Sequence, residues 1–206
     1  MHPNPAFRTA SAARNLAFAR DRAFGQLSIN GAEAPLVAHV PFLLTADGGA
    51  ADLHLIRANP IARALKGPCP ALLSVSGPDG YISPDWYGDS AQVPTWNYVA
   101  VHLRGRLEPL PDAALADLLA RLSDAMEARL PKPPWRMDKT PQEALARMMR
   151  AIRPFRLHVE SVDGTWKLSQ NKPAHARTGA ADRLASGFGH ELGRLAALMR
   201  EEVPPQ

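Results

Sequence analysis

From Gln26 to Leu107 the chain is cut into short apolar runs by turn residues, and beyond Pro111 the spacing of its apolar residues changes period. That change limits the fold more than any bulk property. Short runs of alternating polarity are half-buried strands, whereas apolar residues three and four apart mark a helix face. Strands are expected over Gln26–Asn30, Leu36–Leu44, Asp52–Arg57, Ala71–Ser76, Tyr81–Ser83 and Asn97–Leu107. Gly31, Gly48-Gly49, Asn59-Pro60 and Gly77-Pro78-Asp79-Gly80 punctuate them. In the last strand Val99, Val101 and Leu103 alternate with Ala100, His102 and Arg104. Short strands at this regular spacing are expected to form a barrel.

Helices flank and interrupt this pattern. Ala12–Arg22, rich in Ala and Arg, predicts an N-terminal helix, and Pro60–Leu65 a single helical turn with Pro at its first position. Leu115, Leu118, Leu119, Leu122, Met126 and Leu130 then share one helical face, with Asp112 as the expected N-cap. Pro131-Lys132-Pro133-Pro134 ends that helix. Thr140-Pro141-Gln142-Glu143 has the form of a capping box, opening a helix whose inner face is Leu145, Met148, Met149 and Ile152. Phe155–Val162 and Thr165–Leu168 are expected strands joined by a turn at Asp163-Gly164. A Gly-interrupted helix closes the chain, with Leu184, Phe188, Leu192, Leu195 and Met199 facing inward. The fold class expected is α+β, mainly β. It forms one domain over 1–206, with a helical insert at about 111–152 and a C-terminal helical segment at about 180–202.

Composition removes several functions. The chain has 206 residues, 46% of them hydrophobic, which is enough for a core. Its one cysteine, Cys69, excludes an internal disulfide and a cysteine-based zinc site. The seven histidines show no ligand spacing, so no metal site is expected. No apolar run approaches the roughly 20 residues that span a bilayer, and the N-terminus does not read as a signal peptide. A cytoplasmic protein with no membrane association is the expectation. The net charge of +4 is spread along the chain without a basic block. There is no G-x-S-x-G, G-x-G-x-x-G or P-loop motif, which removes the common hydrolase and dinucleotide readings.

Five of the seven Trp and Tyr residues lie between Tyr81 and Tyr98, among hydroxyls and amides. This mixture suits a flat, conjugated, hydrogen-bonding ligand. Taken singly, Trp96 and Tyr98 read first as core aromatics, while Asn97 between them needs hydrogen-bond partners if buried. Arg57, with Asn59 close behind, offers a forked donor and an amide for a phosphate, and Lys167 and Lys172 offer point charges. Arg57 reads equally as a solvated strand end.

Six segments change the reading when taken in order: His39–Leu44, His54–Pro60 (HLIRANP), Ser76-Gly77-Pro78, Tyr81–Tyr87 (YISPDWY), Val93–His102 (VPTWNYVAVH) and Lys167–Lys172 (KLSQNK). Together they resemble the PaiB-type family of FMN-binding negative transcriptional regulators. The resemblance implies a split β-barrel of the flavin-binding type, FMN as cofactor, and a homodimer with flavin at the subunit interface. It places Arg57 and Asn59, helped by Lys172, at the phosphate. It places Ser83, Thr95, Trp96, Asn97, Gln170 and Asn171 along the ring and ribityl chain, with His39 and His54 facing the same cavity. The link Gly88–Gln92 is shorter than the family pattern and borders the expected ligand. DNA is a possible partner, though no helix-turn-helix is present. The alternative function is an FMN-dependent oxidoreductase acting on a small molecule. Haem is a further flat ligand that His39 and His54 keep open.

Overall fold

The alternation read along the strands closes the sheet on itself. The computed structural model describes residues 1–88 and 91–201. Its strands are β1 (Phe24–Ile29), β2 (Leu36–Leu44), β3 (Ala50–Ile56), β4 (Cys69–Ile82), β5 (Thr95–Pro109), β6 (Ile152–Lys167) and β7 (Gly189–His190). The helices are α1 (Ala12–Arg22), α2 (Pro60–Ala64), α3 (Leu115–Glu127), α4 (Gln142–Arg150), α5 (Ala174–Arg183) and α6 (Leu192–Glu201). The strand order is β1-β2-β3-β6-β5-β4-β7, and β1 also pairs with β4, which makes a closed antiparallel barrel of the first six strands. Closure leaves those six without a free edge. The α+β class and the barrel expected from the sequence are both present.

The chain divides into two compact units. One contains Leu16–Ser74 and Leu103–Val162. In it β2 pairs with β1 from Phe24↔Pro41 to Ile29↔Leu36, and β3 pairs with β6 from Ala50↔His158 to Ile56↔Ile152. Leu27, Val40, Phe42, Leu53, Leu103, Phe155 and Leu157 are buried on the inner face. A Cβ on Gly105 would stand 1.7 Å from the His158 carbonyl oxygen. Only glycine lets the two backbones approach there. Leu115, Leu118 and Leu122 of α3 are buried, as the helical spacing predicts. Asp52, also buried, is bound by Arg156 through both carboxylate oxygens (2.6 and 2.9 Å) and by Arg121 of α3 (3.1 Å).

The other unit contains Met1–Asn15, Val75–His102 and the chain from Asp163 onward. Leu184, Leu195 and Met199 are buried, and β7 pairs with the distal half of β4 through Asp79↔His190 and Gly80↔Gly189. Trp166 donates its indole N–H to Asn15 Oδ1 (2.8 Å), under the Arg14 guanidinium, 4.0 Å from the ring centroid.

Several expectations require correction. Gly77-Pro78-Asp79-Gly80 is not a turn, because β4 runs straight through it. Its second glycine serves packing: a Cβ on Gly80 would meet Leu184, Leu192 and Leu195, each at 3.1 Å. Asp163-Gly164 does not interrupt β6 either. Gly164 makes room for Asn15, whose Oδ1 would lie 2.1 Å from an added Cβ. The closing segment is two helices and a short strand rather than one helix, and Phe188 is exposed. The last residue expected there, Glu202, lies outside the described residues. Asp112 does not cap its helix by a side-chain bond, and the Thr140 capping box does not form, because α4 starts only at Gln142. Leu145, Met149 and Ile152 are half-buried and Met148 is exposed, so α4 has no buried residue.

Candidate functional site

Thr95 and Asn97 point the same way as Val99 and Val101, into the core side of β5. At that end of the strand the core gives way to a cavity of about 210 Å³, walled also by Phe7, Tyr87, Lys167, Ser169, Asn171 and Lys172. Asn97 is fully buried. Its amide donates to Ser169 Oγ (2.8 Å) and to Met199 Sδ (3.4 Å), while its Oδ1 has no partner. Tyr87 Oη shares a hydrogen with Ser169 Oγ at 2.7 Å. Burial pushes the Tyr87 phenol up, the Ser169 bond only partly offsetting it.

The turn after β6 presents these groups. Ser169 has φ 61°, a left-handed conformation unusual for a residue other than glycine. Gln170 holds it there. Its Oε1 accepts the Leu168 N–H (2.8 Å), and its amide donates to the carbonyls of Trp166 (2.6 Å) and Ala6 (3.1 Å). Gln170 therefore shapes the turn instead of lining the cavity. Lys167 donates to Thr95 Oγ1 and Lys172 to Gln92 Oε1. Burial, and then the neighbouring Lys172 charge, pull the Lys167 ammonium below its ordinary pKa.

In the other unit, strand alternation turns a different set outward. His39 and Val37 of β2, Phe24 of β1, and His54 and Ile56 of β3 oppose the buried rows. Phe24, Val37 and Ile56 are 54%, 52% and 62% exposed, and Phe24 stacks on His39 with centroids 6.5 Å apart. His54 Nδ1 is buried without a partner, and burial holds the imidazole below its usual pKa, hence neutral at pH 7. Just past β3, Arg57 donates to Asp112 Oδ2 (2.7 Å) and to the Arg150 carbonyl (3.0 Å). Asn59 Oδ1 accepts from Ile61 N–H and caps α2.

The expected site residues thus fall into groups. Thr95, Asn97, Asn171 and Lys172 meet at the cavity, with Gln170 behind it. His39, His54, Arg57 and Asn59 belong to the other unit. Trp96, on the opposite face of β5 from Asn97, joins Tyr81 and Phe188 in an exposed aromatic cluster, its centroid 5.4 Å from that of Phe188. Ser83 accepts from the Asp85 N–H at the start of a short helical turn, Pro84–Tyr87. Within the short Gly88–Gln92 link, residues 89 and 90 lie outside the described residues. Sequence reasoning missed Phe7, Tyr87 and Ser169 as cavity walls, and no local motif ties Phe7 to a site 160 residues downstream. Among the described residues no three His, Cys, Asp or Glu side chains are grouped to hold a metal ion.

Residues 1–161 match the family described as "Putative FMN-binding domain". The chain belongs to this FMN-binding family. It is 28% identical over 203 residues to the protease synthase and sporulation protein PAI 2 of Bacillus subtilis, covering 97% of both chains. Among solved structures it resembles the FAD and haem binding protein of Mycobacterium smegmatis, with TM-score 0.59 and 18% identity, covering 89% of this chain and 82% of that one. It also resembles the flavocytochrome Anf3 of Azotobacter vinelandii, with TM-score 0.59 and 19% identity, covering 81% and 72%. At these identities the two structures establish the fold.

FMN is the cofactor of the family, and the residues present suit it. A flavin has a flat amphipathic ring, a hydroxylated chain and a phosphate. The outer face supplies exposed apolar side chains, two imidazoles, one of them with an unpartnered nitrogen, and a guanidinium at the strand end.

Proposed function

We propose that the protein is a homodimeric FMN-binding regulator of the PaiB type, with flavin held against the outer face of β1–β3 and covered by a second copy. The carrying observation is the bare row of Phe24, Val37 and Ile56, each more than half exposed on a barrel whose interior is already filled. Apolar surface left open in this way marks a site that something else covers. His39 and His54 would meet the polar edge of the ring. Arg57 would hold the phosphate, in a turn that Asn59 keeps in shape through its cap on α2. Trp96, in its exposed aromatic cluster, is offered to the flavin by the second copy.

The regulatory output is supported by likeness to a sporulation protein over nearly the whole chain. Residues 129–153 add a cationic, largely exposed surface with seven Lys and Arg against two Asp and Glu. If this surface meets DNA, it does so through phosphates, and affinity falls steeply with salt. A second reading, an FMN-dependent oxidoreductase, is favoured by the cationic cavity beside Asn97, which a flavin-holding regulator does not need. When bound, FMN would supply the hydride and electron chemistry, and the protein the positioning.

The test is titration of FMN while following its fluorescence. Saturable quenching is expected, weakened about 10- to 100-fold by Arg57→Ala, the loss of one charge-assisted contact. Unchanged flavin fluorescence with folded protein would contradict the reading.

A further inference from the structure

The cavity beside Asn97 is small. Its volume of about 210 Å³ lies below the range of roughly 300–1,000 Å³ typical of sites for drug-sized molecules. Yet its wall is unusually charged for so small a space.

Lys167 and Lys172 both reach it, and no carboxylate is paired with either among the described residues. Their partners are the neutral oxygens of Thr95 and Gln92. Each ammonium also faces an aromatic ring, Lys167 at 5.8 Å from the Phe7 centroid and Lys172 at 5.7 Å from that of Tyr87. Two like charges sharing one wall raise each other's energy, and an anion between them relieves this.

The floor has a complementary need. Asn97 is fully buried with both of its donor contacts made, and its Oδ1 faces no donor. An unmet buried acceptor costs about 1–3 kcal/mol. The adjoining Ser169 is held in its left-handed conformation by Gln170. Backbone strain of that kind, about 1–3 kcal/mol, is kept where surrounding structure enforces it, often at ligand sites. Cationic wall, orphan acceptor and strained turn converge on one space.

We infer that this cavity is a binding site, separate from the flavin site, for a small oxyanion that also carries a hydrogen-bond donor. Inorganic hydrogen phosphate and short 2-hydroxycarboxylates have this chemistry. The oxyanion sits between Lys167 and Lys172, and its O–H reaches Asn97 Oδ1. Tyr87 and Phe7 supply its aromatic walls. The inference goes beyond the flavin reading and does not depend on it.

The same chemistry occurs in the phosphate end of FMN, so the experiment separates the two sources. Full-length protein, with and without saturating FMN, is titrated calorimetrically with phosphate and with glycolate at constant ionic strength in chloride. Saturable binding that persists in the FMN-loaded protein is expected. Lys167→Met and Lys172→Met should each weaken it about tenfold or more, as loss of one charged hydrogen bond requires, and Lys167→Met should leave FMN affinity unchanged. Circular dichroism confirms that each variant is folded. Absence of saturable oxyanion binding in the wild type would overturn the inference. So would competition between oxyanion and FMN accompanied by loss of FMN affinity in both lysine variants, since the cavity would then hold the flavin's own phosphate. Oxyanion binding in a protein that never binds FMN would leave this site standing and remove only the flavin placement.

Discussion

Gln170 illustrates how one side chain can decide a local structure. Three backbone groups, Leu168 N–H and the carbonyls of Trp166 and Ala6, are satisfied by it inside the protein. Gln170→Ala is therefore expected to destabilise by about 2–3 kcal/mol, read as a lower urea midpoint, because it strands buried polar groups. His54 makes a different prediction. Burial lowers its pKa below the ordinary 6.5, so the unfolded chain binds the proton first as pH falls. Stability contributed by the neutral ring is present above 6.5 and is lost as pH drops from there toward the folded pKa. The difference in denaturant midpoint between pH 7.5 and pH 5.5 should shrink in His54→Asn. An unchanged difference would show that other groups set the pH dependence. At this scale the sequence was half legible. Asn97 breaks the apolar row of Val99 and Val101, a readable sign of a buried polar site. The partner of Arg57 was not readable, since Asp112 lies 55 residues away.

Among the elements, the Asp52 cluster ties β3 to β6 and α3. Burial alone would raise the Asp52 carboxyl, but its bonds to Arg156 and Arg121 outweigh that and hold it below its ordinary range. Its contribution is thus full above the unfolded carboxylate range and disappears as pH falls through the lowered value. Asp52→Asn should cost about 3 kcal/mol at pH 7, toward the low end for a broken buried pair, because both guanidinium groups reach solvent. Calorimetric unfolding checks it. The two helices of the insert should also differ. Leu118→Ala in α3 removes a buried side chain and should cost about 2–5 kcal/mol, whereas Met148→Lys on the exposed side of α4 should stay within about 0.5 kcal/mol. The helix periods and most strands were legible because they rest on patterning. Two of the misread places, around Gly80 and Gly164, share one cause. Both glycines make room for distant side chains, and local turn propensity carries no trace of that.

For the molecule as a whole, closure of the barrel turns one face of each strand inward and the other outward. The interior of the six-stranded ring is filled by Leu, Val and Phe side chains; we propose that a flavin lies on the outer face and a small oxyanion in the cavity beside Asn97. No helix of the described residues is long and apolar enough to cross a membrane. The outer rows of β1–β3 are what a second copy and a flavin would cover together. The measurement that bears most directly on this is the mass of the protein in solution by light scattering, with absorption in the flavin band recorded on the same peak after FMN loading. A mass of two chains carrying two FMN is expected. A folded single chain that emerges free of FMN would contradict it.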